Sequence, residues 1–199
     1  MKQYVDTAVS LAKFDQEIAD FRAVADTYRA RGWFLIDAEF PEVLVIMAAT
    51  KLKPPAIVTG VLLDYTNYDI EPPSVRLVDP FTRVPYARRE LPTTLNRAVP
   101  AQSIALPGMP GANLQMQALQ PLMQAHADDD VPFLCIAGVR EYHEHPGHSG
   151  DRWELHRSAG AGRLVRLLEV VHRYGVEPVQ DYSVQLMPRV GLAFGEAPA

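Results

Sequence analysis

The chain has one cysteine in 199 residues. That excludes an intramolecular disulfide framework, so nothing requires an oxidising compartment. It has no apolar run near the roughly 20 residues a helix needs to cross a bilayer. Its first residues, Met1-Lys-Gln-Tyr-Val-Asp6, lack the basic and apolar regions of a secretory signal. The expected location is therefore cytoplasmic, with no membrane partner. Basic residues are outnumbered, 19 Lys and Arg against 24 Asp and Glu, for a formal net charge of −5. Phosphate binding draws on clustered Lys and Arg, so nucleic acid is not an expected partner. There is no internal repeat and no low-complexity tract. What is present is ordinary: 48% hydrophobic and 22% charged residues, and enough length for one domain with a sizeable core.

Periodicity orders the first half. Leu11, Phe14, Ile18, Phe21, Ala25 and Tyr28 recur at steps of three and four, which predicts one long helix over residues 7–31. Asp6 is its expected N-cap and Gly32 its stop. Three strands are expected next, Trp33–Phe40, Glu42–Thr50 and Ala56–Leu63, with connections too short for crossover helices and hence antiparallel. A polar turn and the pair Pro72-Pro73 lead to a fourth strand, Ser74–Val78. Residues 82–130 are proline-rich and read as an insertion packed on the core, with a short helix expected over Asn113–Ala127. A helix over residues 160–174 is expected from Leu164, Leu167, Leu168 and Val171, with Gly175 ending it. A short strand, Tyr182–Leu186, and a tail would close the chain.

The chemistry concentrates between Phe133 and His156. An apolar strand, Pro132–Val139, carries Cys135. A polar stretch of loop composition, Glu141–Arg152, follows. Four of the six histidines lie here, His143, His145, His148 and His156, together with Trp153. A buried strand feeding a polar loop is a common way to present functional groups. His126 and His172 lie apart and read as surface residues.

The order of helix, four-strand meander, Pro-Pro turn, irregular segment, cysteine, tryptophan and helix resembles the ubiquitin-conjugating enzyme (UBC) family over roughly residues 7–175. The residues that carry the likeness are Leu62-Leu-Asp-Tyr-Thr-Asn-Tyr-Asp-Ile-Glu-Pro-Pro-Ser-Val-Arg-Leu77, Phe133-Leu-Cys-Ile136 and Trp153. The family's His-Pro-Asn motif is replaced by Asp79-Pro80-Phe81, and the insertion before Cys135 is atypical. The resemblance is thus to a divergent, bacterial type of relative, some of which look like metal binders. It implies an α+β, UBC-like fold: an N-terminal helix, a four-stranded antiparallel meander and a C-terminal helix, in one domain with an inserted segment. It also implies a transferase that carries a ubiquitin-like protein as a thioester on Cys135. Its partners would be that modifier and its activating enzyme, with no cofactor. Tyr142, His143 and His145 would shape the site, and Trp153 would pack the loop on the domain.

Two chemistries follow from the residues themselves. A carrier thiol must be nucleophilic, which needs exposure or a nearby cation such as Arg140 or a histidine. Against this stands the plain alternative of a buried, inert cysteine between Leu134 and Ile136. The second chemistry is zinc. In an extended segment His143 and His145 point to one side. His148 joins through the Pro146-Gly147 turn, and Cys135, Asp151 or His156 would be the fourth ligand. Glu141, Glu144 and Glu154 would orient those ligands from behind. The plain alternative is a solvated polar loop. A third reading is a UBC-like interaction module without catalysis.

Overall fold

Asp6 starts the first helix because its carboxylate accepts the Ala8 N–H at 2.8 Å, satisfying one of the free donors of a helix start. In this helix, α1 (Thr7–Ala23), Phe14, Ile18 and Phe21 are buried at the predicted spacing and Leu11 is exposed. The helix does not run unbroken to residue 31. Val24, at φ −125°, ends it, and a short α2 (Ala25–Ala30) follows. The break brings the Tyr28 ring onto Trp33, stacked at 5.0 Å, and onto Phe21, at 4.7 Å. Gly32 then takes φ +87°, where a Cβ would stand 2.2 Å from the Ala48 carbonyl oxygen. The computed structural model in which these features are seen describes residues 2–100, 102–105, 113–116 and 118–181.

The four expected strands form at β1 (Trp33–Glu39), β2 (Glu42–Ala49), β3 (Ala56–Asp64) and β4 (Ser74–Val78). They pair antiparallel in the order β1-β2-β3-β4. Alternate residues point to one face. Val43, Val45 and Met47 of β2, Val61 and Leu63 of β3, and Val75 and Leu77 of β4 therefore form a layer. That layer packs on Phe14, Ile18 and Phe21 of α1 and on Leu164, Leu167, Leu168 and Val171 near the C-terminus. Burying each Leu or Phe of this set contributes roughly 1.5–3 kcal/mol relative to exposure. The protein is mixed α+β, with an antiparallel four-stranded sheet and helices on its core face. Among the described residues no helix is long and apolar enough to cross a membrane.

The segment after β4 departs from expectation. The helix over Asn113–Ala127 is not there. Short strands take its place: β5 (Asn96–Ala98), β6 (Gln102–Ala105), β7 (Asn113–Met116), β8 (Leu119–Pro121), β9 (Met123–Gln124) and β10 (Phe133–Leu134). They pair as β5 with β8, β6 with β7 and β9 with β10. Leu114 and Met116 alternate as readily as they fit a helix, and pairing of β7 with the preceding β6, Leu114 opposite Ile104, decides the outcome. Leu95, Leu122, Met123 and Leu134 nevertheless join the main core, so the segment is bound to it. The expected strand at Pro132–Val139 is reduced to β10. Cys135 still bonds Leu122 O through its N–H, at 2.7 Å, but Ile136–Val139 then closes a turn. Gly138 sits in that turn at φ +110°, with the Ala161 carbonyl oxygen 2.3 Å from where a Cβ would be. The expected strand Tyr182–Leu186 and the tail lie outside the described residues.

Pro72 and Pro73 are both buried at the entry to β4. Their carbonyls accept from Arg140, the first from Nε at 3.2 Å and the second from the backbone N–H at 2.9 Å. The turn thus holds the segment that carries the chemistry. Replacing both with Gly should lower stability by about 1 kcal/mol or more, through the wider freedom of the unfolded chain. Chemical denaturation reads this directly, and an unchanged midpoint would show that the turn is not constrained by its prolines.

Candidate functional site

The stretch after Cys135 is not the open loop its composition suggests. It winds into α3 (Arg140–Glu144), a 3-10 turn at Pro146–His148, and α4 (Glu154–Arg157). The later helix α5 (Leu164–Val171) starts after the expected residue 160 and continues as a π turn at His172–Val176, so Gly175 falls inside the last turn. Arg140 is 5% exposed and anchors α3. Its guanidinium donates to Asp64 Oδ2 at 2.9 Å, to Thr66 O at 2.9 Å and to Asp64 O at 3.2 Å. The buried cation is thus engaged by a carboxylate and backbone carbonyls away from the thiol, so Arg140 is no source of charge for it.

The helical turn changes what the histidines can do. Successive residues of a helix rotate by about 100°, so His143 and His145 do not share a side as they would in a strand. His143 Nδ1 donates to the Asp151 carbonyl at 2.8 Å, and its Nε2 accepts from Gly138 N–H at 3.4 Å. Both ring nitrogens are therefore used on backbone, and burial lowers its pKa against the Asp151 hydrogen bond. His145 Nδ1 accepts from Gly147 N–H at 3.1 Å, and its ring packs beside Phe133 and His126. His156 Nε2 meets Asp151 Oδ1 at 2.5 Å. His172 is half-buried, edge-on to Trp33, rather than a free surface residue. Among the described residues no three His, Cys, Asp or Glu side chains gather as a group able to hold a metal. Of the predicted set of His143, His145, His148, Cys135 and His156, His143, His145 and His156 are engaged with separate partners, and only Cys135 and His148 are brought together.

One pairing does bring chemistry together. The 3-10 turn returns His148 over the end of β10, and its Nε2 lies 3.3 Å from Cys135 Sγ. The His148 ring stacks on Tyr142, with centroids 4.0 Å apart and planes at 21°. Tyr142 OH donates to Asp151 Oδ2 at 2.6 Å. Burial and that hydrogen bond push the Tyr142 hydroxyl up to about 12. Asp151 lies below the usual carboxylate range because Tyr142 and His156 both bond it. Asp151 therefore ties α3 to α4 and holds the ring on which His148 rests. Trp153, 6% exposed, closes the other side, its Nε1 donating to Asp69 O at 3.0 Å. Asp69 is in turn bridged by Lys13 and by Arg157.

Cys135 is half-buried, not sealed. Burial raises its thiol pKa, and Arg97 opposes the rise. Cys135 lines a cleft of about 420 Å³ together with Arg97, Gln120, Ile136, Tyr142, His148 and Arg166 among others. A thiol facing an imidazole can pass its proton to that base and attack an electrophile. The sequence did not reveal Arg97, Gln120 or Arg166 as site residues, since they come from β5, β8 and α5. Glu141 is turned away from the histidines, accepting Ser74 Oγ at 2.5 Å and pairing with Arg76 at 2.7 Å. Glu144 and Glu154 are exposed.

Comparison with known proteins gives two matches. The Y4jH-like pattern, described as the Y4jH family, matches residues 5–179. The uncharacterized protein y4jH of Sinorhizobium fredii is 46% identical over 195 residues, covering 95% of this chain and 93% of that protein. The matched span includes Cys135, His148 and every lining residue of the cleft, so the chain, site included, belongs to the Y4jH-like family.

Proposed function

We propose that the chain is a UBC-like acyl carrier, taking the C-terminal acyl group of a ubiquitin-like protein as a thioester on Cys135. The observation that supports this best is the 3.3 Å approach of His148 Nε2 to Cys135 Sγ at the mouth of an open cleft. The order of helix, antiparallel meander, Pro-Pro turn, cysteine and helix supports the UBC-type frame. The partners are the modifier, its activating enzyme and an acceptor amine. No cofactor takes part.

In the first step the thiol proton passes to His148 Nε2 and Sγ attacks the activated carbonyl carbon. The C–S bond forms, the bond to the leaving group breaks with its electron pair, and the imidazolium gives its proton to that group, restoring the free base. The Gln120 amide and the Arg97 guanidinium, which line the cleft, are the donors for the developing oxyanion. In the second step an amine attacks the thioester carbon, the C–S bond breaks, and the Cys135 thiolate is regenerated. The amine's surplus proton leaves through the imidazole. Tyr142 sets the ring plane of His148, and His143 holds the turn beneath it through Gly138.

The test is an adduct. Incubation with the cognate activating enzyme, ATP and the ubiquitin-like protein should give a conjugate that disappears under reducing thiol. Cys135→Ser should give an ester that survives the thiol, and Cys135→Ala nothing. An undiminished adduct with Cys135→Ala would remove this residue from the reaction.

A further inference from the structure

The cleft is lined by positive charge in a chain whose net charge is negative. Its described lining holds two guanidinium groups, Arg97 and Arg166, and no carboxylate, in a chain whose net charge is −5. Other arginines, such as Arg31 and Arg140, are paired with carboxylates. Arg97 donates to Gln120 Oε1 at 2.6 Å, across from its partner in the β5–β8 register. Arg166 donates to the Ala159 carbonyl at 3.1 Å. Neither forms an ion pair among the described residues, so each keeps donors for a ligand. Two positioned guanidiniums with spare N–H groups match the planar, two-oxygen face of a carboxylate or phosphate.

From this we infer that the Cys135 cleft selects acyl donors that carry an anionic oxygen group close to the reacting carbonyl, bound by Arg97 and Arg166. The inference rests on the reading of Cys135 as the nucleophile. It adds the substrate class: a chain with a carboxylate, or a donor with a phosphate, near the acyl carbon. A neutral or cationic donor of the same shape is disfavoured, since it leaves the two cations facing no counter-charge.

Two alkylating probes of nearly equal size, one anionic and one neutral, test this. Iodoacetate transfers a carboxymethyl group to sulfur and iodoacetamide a carbamidomethyl group, each through its CH2 carbon. The C–S bond forms, iodide leaves with the electron pair, and the thiol proton goes to the base. The readout is the ratio of the two rates at Cys135, referred to the same ratio for N-acetylcysteine methyl ester. The ratio should favour iodoacetate by about fivefold or more over the small thiol, and raised salt should reduce it. Arg97→Gln/Arg166→Gln should return it to the small-thiol value. The ratio matters because Arg97 also lowers the thiol pKa and so changes both rates together. Protection by succinate or by inorganic phosphate then identifies which anion the cleft takes.

A ratio equal to that of the small thiol, unchanged in the double variant, would overturn the inference. Calorimetric binding of succinate and phosphate to Cys135→Ala separates it from the acyl-carrier reading. Binding that is lost in Arg97→Gln/Arg166→Gln supports an anion cleft even where the thiol itself proves inert. No binding of either anion, with an unselective thiol, leaves a reactive cysteine without the anion site.

Discussion

Arg140→Ala should cost about 3–5 kcal/mol of folding stability, because it removes one member of a buried charged network and strands the others. Pro72 O, Asp64 O and Thr66 O all lose their donor, and Asp64 loses its cation. Burial pushes the Asp64 carboxyl up, but hydrogen bonds from Thr66 and Arg140 outweigh it and hold the group below its ordinary range. A carboxyl depressed in the folded state binds fewer protons there than in the unfolded chain. Its contribution is therefore complete above the unfolded pKa and is lost as pH falls through the folded one. The wild type should accordingly lose this increment in acid, and Arg140→Ala should show less of that loss. Arg140→Lys should rescue little, since an ammonium cannot reach three acceptors in the plane that the guanidinium spans. Denaturation midpoints read both results. A loss under about 1 kcal/mol would mean that the network is not what fixes α3.

That network also explains what the sequence conceals. The four strands of the sheet were legible because Val43, Val45, Met47, Val61 and Leu63 alternate between short polar turns, a local signal. The N-terminal helix was legible for the same reason, except at Val24, where packing of Tyr28 on Trp33 goes with a break that no Gly or Pro announces. The segment around Leu114–Leu122 has apolar spacing that fits a helix as well as a strand, and its pairing in short antiparallel ladders, β6 with β7 and β5 with β8, is not marked by periodicity. At the site, Cys135 stood out as the lone cysteine and the histidines as a dense cluster. An extended segment would turn His143 and His145 to one side, but the segment is a helix anchored by Arg140, and the two are separated. His148 reaches the sulfur only through a 3-10 turn whose direction depends on that helix. Arg97 and Arg166 carry no local mark at all, since the fold alone brings them beside Cys135.

The other large effect belongs to His148. Burial holds the Cys135 thiol above its ordinary pKa, so little thiolate exists near neutral pH without a base at hand. His148 Nε2 lies 3.3 Å from Sγ, and in the proposed reaction it takes the proton as the sulfur attacks. A positioned general base is worth typically about 10²–10⁴-fold, and His148→Ala should lose an effect of that order. The side chain is partly exposed, so its removal leaves the fold intact while taking the base away. The Tyr142 ring beneath it stays tied to Asp151. The variant thiol should then react only as its own proton dissociates, with a rate that climbs as pH is raised through the elevated thiol range.

The most direct measurement is the rate of iodoacetamide alkylation at Cys135 across pH, in the wild type and in His148→Ala. The account predicts a wild-type rate about a hundredfold above the variant's near neutral pH, with the two converging at high pH as both thiols ionise unaided. Rates within about twofold of each other near neutral pH would contradict it, because a true base cannot be removed at so small a cost.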